Sequence, residues 1–215
     1  VFTLEGLGVD MIGLNCGLGP KEMFEHVKEA VKYSSTPILV NPNAGLPECV
    51  NGVTSYKVGA EEFSDDMEKI AKLGVHCVGG CCGTTPEHIK MTAEKCKKIA
   101  VSPVKQKHFT AVTSYSKTTL IGEKPVIVGE RINPTGKKKL KAALVKNNMD
   151  YIVSEAVAQA DKKADVLDVN VGLPEIDEPE MLVRAIKTVQ GVLNIPLQID
   201  TSDFEAMEKA LRIYN

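Results

Sequence analysis

An α/β protein built on parallel strands is what this sequence predicts, and three observations carry the prediction. Short apolar runs alternate with amphipathic helical segments along most of the chain. A stretch of different composition, 101–124, separates two halves that share this grammar. Nearly every candidate strand hands over to polar or reactive residues at its C-terminal end, where parallel sheets gather their chemistry.

In the first half, 9–15 reads as a strand, followed by a helix over 20–33 with Met23, Phe24, Val27, Ala30 and Val31 on one face. Residues 37–41 form the next strand candidate, and 42–59 is a loop rich in turn formers. A helix over 61–73 turns Phe63, Met67 and Ile70 inward, and 75–80 is a third strand. The last helix of this half starts after Thr85, a good N-cap, with Pro86 in the first position. The segment 101–124 is rich in Ser, Thr and Lys, carries Glu123 as its single acid and lacks periodicity, so it reads as an interdomain linker. Beyond it, 125–129, 165–169 and 197–199 read as strands, with helices near 148–163, 178–192 and 203–214. Such strand–helix repetition implies parallel sheets with right-handed crossovers.

The strand ends carry Asn15 and Cys16, Asn41 and Asn43, Cys81 and Cys82, Glu130 and Asn133, Asp168 and Asn170, then Asp200 and Thr201. A doubly wound sheet places ligands only where the strand order reverses. Chemistry at all the strand ends favours a barrel. The expected architecture is therefore two (β/α)8 TIM-barrel-type domains, each represented only in part, since each half carries about three of the eight strands that closure takes.

The bulk composition sets limits. The 215 residues are 43% hydrophobic and 25% charged with a formal net charge of −2, ordinary values for a soluble globular protein. Near-neutral charge argues against a nucleic-acid partner. No apolar run approaches the ~18 residues of a membrane span, and no signal peptide is visible. Six cysteines in a chain of this length fit a reducing, cytoplasmic setting better than a disulfide scaffold. The start at Val1, without an initiator methionine, reads as a fragment of a longer protein.

Cys81 and Cys82 are adjacent within Gly79-Gly-Cys-Cys-Gly83, and Cys16 lies in Gly13-Leu-Asn-Cys-Gly17. Neighbouring cysteines cannot bond to each other without strain, but both can aim their sulfurs at one metal ion. A third thiolate from a neighbouring strand end leaves one tetrahedral position open, which describes a catalytic zinc. A thiol entering that position would lose its proton and become a nucleophile at neutral pH. Flanking glycines and the matching Cys16 segment set this reading above that of small buried residues. Cys49, Cys77 and Cys96 read as bland positions, with Cys77 on a strand and Cys96 on a helix as core. His76 and His88 lie near the cysteines, and His88 in a first helical turn reads as a surface or capping residue. The run Lys137-Lys-Lys-Leu-Lys141 reads as a solvated face.

The segments Gly13–Pro20, Asn41-Pro-Asn-Ala-Gly45 and Gly79-Gly-Cys-Cys-Gly-Thr-Thr-Pro-Glu-His88 resemble the second half of a homocysteine S-methyltransferase domain. Gly129-Glu-Arg-Ile-Asn-Pro-Thr-Gly136, Asp165-Val-Leu-Asp-Val-Asn-Val-Gly172 and Gln198-Ile-Asp-Thr201 resemble the first half of a pterin-binding methyltetrahydrofolate methyltransferase domain. In this order the two are similar to the cobalamin-dependent methionine synthase family. The resemblance implies that 1–100 is the C-terminal half of a homocysteine- and zinc-binding barrel, 101–124 the linker, and 125–215 the N-terminal half of a pterin-binding barrel. It makes Cys16, Cys81 and Cys82 the zinc ligands that activate the homocysteine thiol. It places Asp168, Asn170 and Asp200 on the pterin ring edge, with Glu130 and Asn133 near the folate. Cobalamin would be bound by another domain or chain, since no Asp-x-His-x-x-Gly segment occurs here. The implied reaction carries a methyl group from methyltetrahydrofolate by way of cobalamin to homocysteine. Two alternatives stand beside it: a corrinoid-dependent component with a different thiol acceptor, and an inactive zinc-binding fragment.

Overall fold

The computed structural model describes residues 1–50 and 52–214. It divides into two compact units, Val1–His108 and Phe109–Asn215. Unit 1 runs α1 (Phe2–Gly6), β1 (Ile12–Asn15), α2 (Pro20–Tyr33), β2 (Ile38–Asn41), β3 (Glu48–Val50), β4 (Val53–Ser55), α3 (Ala60–Lys72), β5 (Cys77–Val78) and α4 (Pro86–Cys96). Its parallel sheet has the order β1-β2-β5, with Asn15 opposite Asn41 and Val40 opposite Val78. The apolar stripes foreseen on α2 and α3 supply the core. Met23, Val27, Phe63, Met67 and Ile70 pack with Ile12, Ile38 and Val40 of the sheet. Phe63, Met67 and Ile70 are completely removed from solvent, each contributing about 1.5–3 kcal/mol of apolar burial.

Unit 2 runs β6 (Thr110–Thr113), β7 (Thr118–Ile121), β8 (Val128–Ile132), α5 (Lys138–Val145), α6 (Met149–Asp161), β9 (Val166–Val169), α7 (Glu178–Gln190), β10 (Leu197–Ile199) and α8 (Phe204–Leu211). The sheet order is β10-β9-β8, all parallel. Central β9 is buried at all four positions, as a parallel strand covered on both faces should be. Asn148, Asp177 and Asp203 cap α6, α7 and α8 by accepting first-turn amides. Among the described residues no helix is long and apolar enough to cross a membrane, and no sheet closes into a barrel.

Several expectations change. The loop 42–59, part of which lies outside the described residues, holds the antiparallel pair β3–β4. The segment read as linker, 101–124, contains the hairpin β6–β7, whose registered pairs include Val112 with Thr119. Its threonines supply β-branched side chains that favour extended backbone without producing an apolar alternation. The strand expected over 125–129 is β8, displaced toward Ile132. The lysine run opens α5, whose other face buries Leu140, Ala143 and Leu144. Cys77 is exposed rather than core, because two-residue β5 lies at the sheet edge with its outer face uncovered.

Candidate functional site

In unit 1 the three strand ends converge. Backbone bonds extend the sheet past its strands: Cys16 N–H donates to the Asn41 carbonyl at 2.9 Å, and Cys81 N–H to that of Pro42 at 2.8 Å. Ala44 N–H returns to the Cys82 carbonyl at 2.9 Å. Cys16 itself takes the left-handed conformation, φ 63°, a strained choice for a residue with a Cβ. That turn aims its sulfur across the sheet end. The Cys16 and Cys82 sulfurs lie 3.8 Å apart, those of Cys81 and Cys82 3.9 Å apart, and all three fall within 4.8 Å of one another. A tetrahedral zinc with Zn–S of about 2.3 Å requires sulfurs roughly 3.8 Å apart. The donor set and its spacing fit that ion.

The surroundings act on Cys16 and Cys81 in opposite directions. The Gly17 N–H, then Cys81, Cys82 and Asn43, hold the Cys16 thiol below its ordinary range. Cys81, which shares a hydrogen bond with Cys16, is pushed up, with burial adding to the shift. Asn43 is 3% exposed and accepts the Cys82 N–H at 3.2 Å. The turn that carries the cysteine pair is anchored by α4. Thr85 and His88 form a reciprocal capping box, and Nδ1 of His88 faces the Thr85 hydroxyl at 2.8 Å. The other ring nitrogen, Nε2, donates to the Val58 carbonyl at 2.9 Å, and the ring meets Phe63 edge-on. His88 is thus a buried cap, not a surface one. His88→Ala is expected to lower unit 1 stability by about 2–3 kcal/mol in urea denaturation, from the lost cap and the orphaned carbonyl. An unchanged midpoint would refute the anchoring role.

In unit 2 the cluster forms at the C-terminal ends of β8, β9 and β10. Asp168 and Asn170, two residues apart, project to the same side. Asn170 Nδ2 donates to Asp200 Oδ2 at 3.0 Å, and its Oδ1 accepts the Gly172 N–H at 2.9 Å. Asp168 is 5% exposed and its Oδ1 is buried with no partner. Burial, then the charges of Asp200 and Glu130, push its carboxyl up to about 6, against a hydrogen bond from Gln198 and the charge of Lys137. A register shift between Gly129 and Ile132 marks a bulge in β8. Gln159 fills the gap by accepting the Arg131 N–H at 2.8 Å. Gly129 makes room, since a Cβ there would lie 2.5 Å from Gln159 Oε1. Glu130 is held by Lys137, whose Nζ reaches both carboxylate oxygens at 3.1 and 3.0 Å. Asn133 uses its Oδ1 to cap Thr135 N–H at 2.9 Å, a turn role. Three residues of these surroundings fall outside those proposed from sequence: Asn43, Lys137 and Tyr56, whose ring lies where a Cβ on Gly83 would fall. Only Asn43 left a signal, as a polar strand-end residue.

The fold and its two clusters define a class: a parallel α/β protein with a three-thiol cluster in one unit and a carboxylate–amide cluster in the other. The homocysteine S-methyltransferase family profile matches residues 1–96, and the pterin binding enzyme profile matches 129–215. The first part of the chain is thus similar to the one family and the second part to the other. It is 33% identical to the methionine synthase of Mycobacterium leprae, over 97% of this chain and 18% of that protein. It is 29% identical to that of Mycobacterium tuberculosis with the same coverage of both. The chain therefore spans about a fifth of the length of these relatives (18% of each). The carboxyl transferase domain of Rhizobium etli pyruvate carboxylase superposes with a TM-score of 0.29 at 14% identity, covering 94% of this chain and 31% of that one, too loosely to bear on the fold.

Proposed function

We propose that this chain is the part of a methionine synthase-type methyltransferase that joins its homocysteine site to its folate site. The observation that carries the reading is the approach of the Cys16, Cys81 and Cys82 sulfurs to within 4.8 Å of one another. Homocysteine would bind through its sulfur at the open side of this centre, where Cys82 is exposed. Zinc held by the three thiolates would lower the pKa of that thiol and keep it nucleophilic at neutral pH. The chain's own part is to present three sulfurs in fixed geometry, which the lacing of the strand ends provides.

In unit 2, methyltetrahydrofolate would set its pterin edge against Asp168, Asn170 and Asp200. A pterin offers an amidine-like donor edge, which a carboxylate accepts, while an amide serves a donor and an acceptor position at once. The unpartnered Asp168 Oδ1 supports this, because a buried acceptor without a donor is destabilising until a ligand supplies one. Orientation and protonation of the pterin would then make it a competent leaving group. Glu130 and Lys137 would flank the same site. Cobalamin, held by another domain or chain, would carry the methyl group between the units. The two three-stranded sheets are read as portions of (β/α)8 barrels, with free thiols suited to a reducing cytoplasm.

Elemental analysis of the purified chain tests the reading. One zinc per chain, with proton release on adding homocysteine, is expected; absence of zinc would remove the thiol-activation role. With only part of each expected barrel present, the 215 residues alone should form no methionine from methyltetrahydrofolate, homocysteine and cobalamin. Measurable product would show that the partial pockets suffice.

A further inference from the structure

The turns that follow β9 and β10 are tied together by Glu178, a residue outside the carboxylate–amide cluster. Asp200 N–H donates to the Val169 carbonyl at 3.1 Å, and beyond that bond the two turns meet through side chains. The half-buried Thr201 hydroxyl donates to Glu178 Oε1 and accepts the Asp203 N–H at 3.0 Å. Its single proton is thus committed to the carboxylate. Glu178 opens α7, but that helix end is already capped by Asp177, which accepts the Glu180 N–H at 3.0 Å. The Glu178 carboxylate serves the neighbouring strand end instead. It also lies against Gly172, where an added Cβ would fall 3.2 Å from Glu178 Oε2 and 3.4 Å from Asn170 Oδ1. A larger residue there would crowd both groups. Gly172 N–H holds Asn170 Oδ1 at 2.9 Å, which leaves Nδ2 to meet Asp200 at 3.0 Å. Glu178 therefore touches both turns that carry the Asn170–Asp200 pair.

We infer that Glu178 is a positioning residue that acts through Thr201 to fix the Asp200 carboxylate against Asn170, so that the pair meets the pterin edge already aligned. The inference rests on the pterin reading above. Thr201 follows Asp200 directly in the chain, so a hydroxyl anchored on Glu178 limits the backbone rotation open to Asp200. A carboxylate held in its bound geometry loses little freedom when a ligand arrives, and affinity rises by that saving. Released from Glu178, the β10–α8 turn would let Asp200 swing away from Asn170.

The test titrates tetrahydrofolate into the intact protein by calorimetry. Wild type is set beside Glu178→Ala, Thr201→Val, Thr201→Ser, the Glu178→Ala/Thr201→Val double variant and Asp200→Ala. Thr201→Val removes the hydroxyl at nearly constant shape, so it reads the tie even where Glu178→Ala fails to fold. The expected result is about tenfold weaker binding in Glu178→Ala and in Thr201→Val, the scale of one hydrogen bond to a charged group. The double variant should bind no more weakly than either single one, because both remove the same contact. Thr201→Ser, which keeps the hydroxyl, should bind as wild type does. Wild-type affinity in Thr201→Val would overturn the inference, whatever the change in its urea midpoint, since the tie would then serve stability alone. So would additive losses in the double variant, or a loss in Thr201→Ser equal to that in Thr201→Val. Wild-type protein that takes up no tetrahydrofolate, or unaltered affinity in Asp200→Ala, would instead defeat the pterin reading, and the inference with it.

Discussion

Cys82→Ala is expected to reduce bound zinc from one per chain to a trace, and to weaken affinity by at least about a hundredfold in a chelator competition. Two thiolates would remain, and the ion would have to recruit water or a weaker donor in place of sulfur. Geometry makes the effect large: Cys82 is the shared neighbour in both close sulfur pairs, at 3.8 Å from Cys16 and 3.9 Å from Cys81. Cys49→Ala should retain the full complement, because Cys49 is exposed on the β3–β4 hairpin and outside the thiol cluster. If both variants keep zinc, the metal lies elsewhere; if both lose it, the assay reports unfolding rather than ligation.

Asp168→Asn should strengthen the fold and impair the folate site together. The Asp168 carboxyl titrates at about 6 in the folded unit, against about 3.9 in an unfolded chain. A group whose pKa is raised on folding contributes stability below the unfolded value, and that contribution is lost as pH rises through the folded value. At pH 7.5 the wild type therefore carries an ionised carboxylate in a buried site beside Asp200 and Glu130. Asparagine removes that charge, and a gain of about 2 kcal/mol is expected in urea denaturation. The gain should shrink as pH falls from 6 to 4 and vanish below. Tetrahydrofolate affinity of the intact protein, measured by titration calorimetry, should fall by about tenfold or more, since an acceptor oxygen becomes an amide donor. A stability difference that ignored pH would show that Asp168 is not destabilised by its charge.

Much of this architecture was legible because helices with one apolar stripe announce themselves. Met23, Val27 and Ala30 on α2, and Phe63, Met67 and Ile70 on α3, are buried where their spacing placed them. The Gly-Gly-Cys-Cys-Gly segment was legible for a different reason, as adjacent thiols have few other uses. The hairpins were not, because Thr110 to Thr113 and Thr118 to Ile121 mix polar and apolar residues without strict alternation. Three lysines in α5, with Lys137 just before it, concealed the Leu140 and Leu144 face. Tyr56 lies 27 positions from Gly83 in sequence, and their contact depends on a loop path that no local pattern encodes. The raised pKa of Asp168 likewise arises from strands on either side of β9, and burial of that kind is a property of the assembled sheet. Within each cluster, then, residue type was readable and environment was not.

The lacing of unit 1 by Cys16, Ala44 and Cys81 amides has a topological side. A metal joining residues 16 and 82 would turn the 66-position separation between them into a closed ring. The ring runs through α2, β2, the β3–β4 hairpin, α3 and β5 and leaves β1 outside it; closing a loop of that length removes chain entropy from the open states, on the order of 4 kcal/mol if the link behaves as a covalent one. The rim could then no longer fray strand by strand; its amides would open together, at the pace of ligand release. Hydrogen exchange at Cys16, Ala44 and Cys81 would thus keep time with the metal.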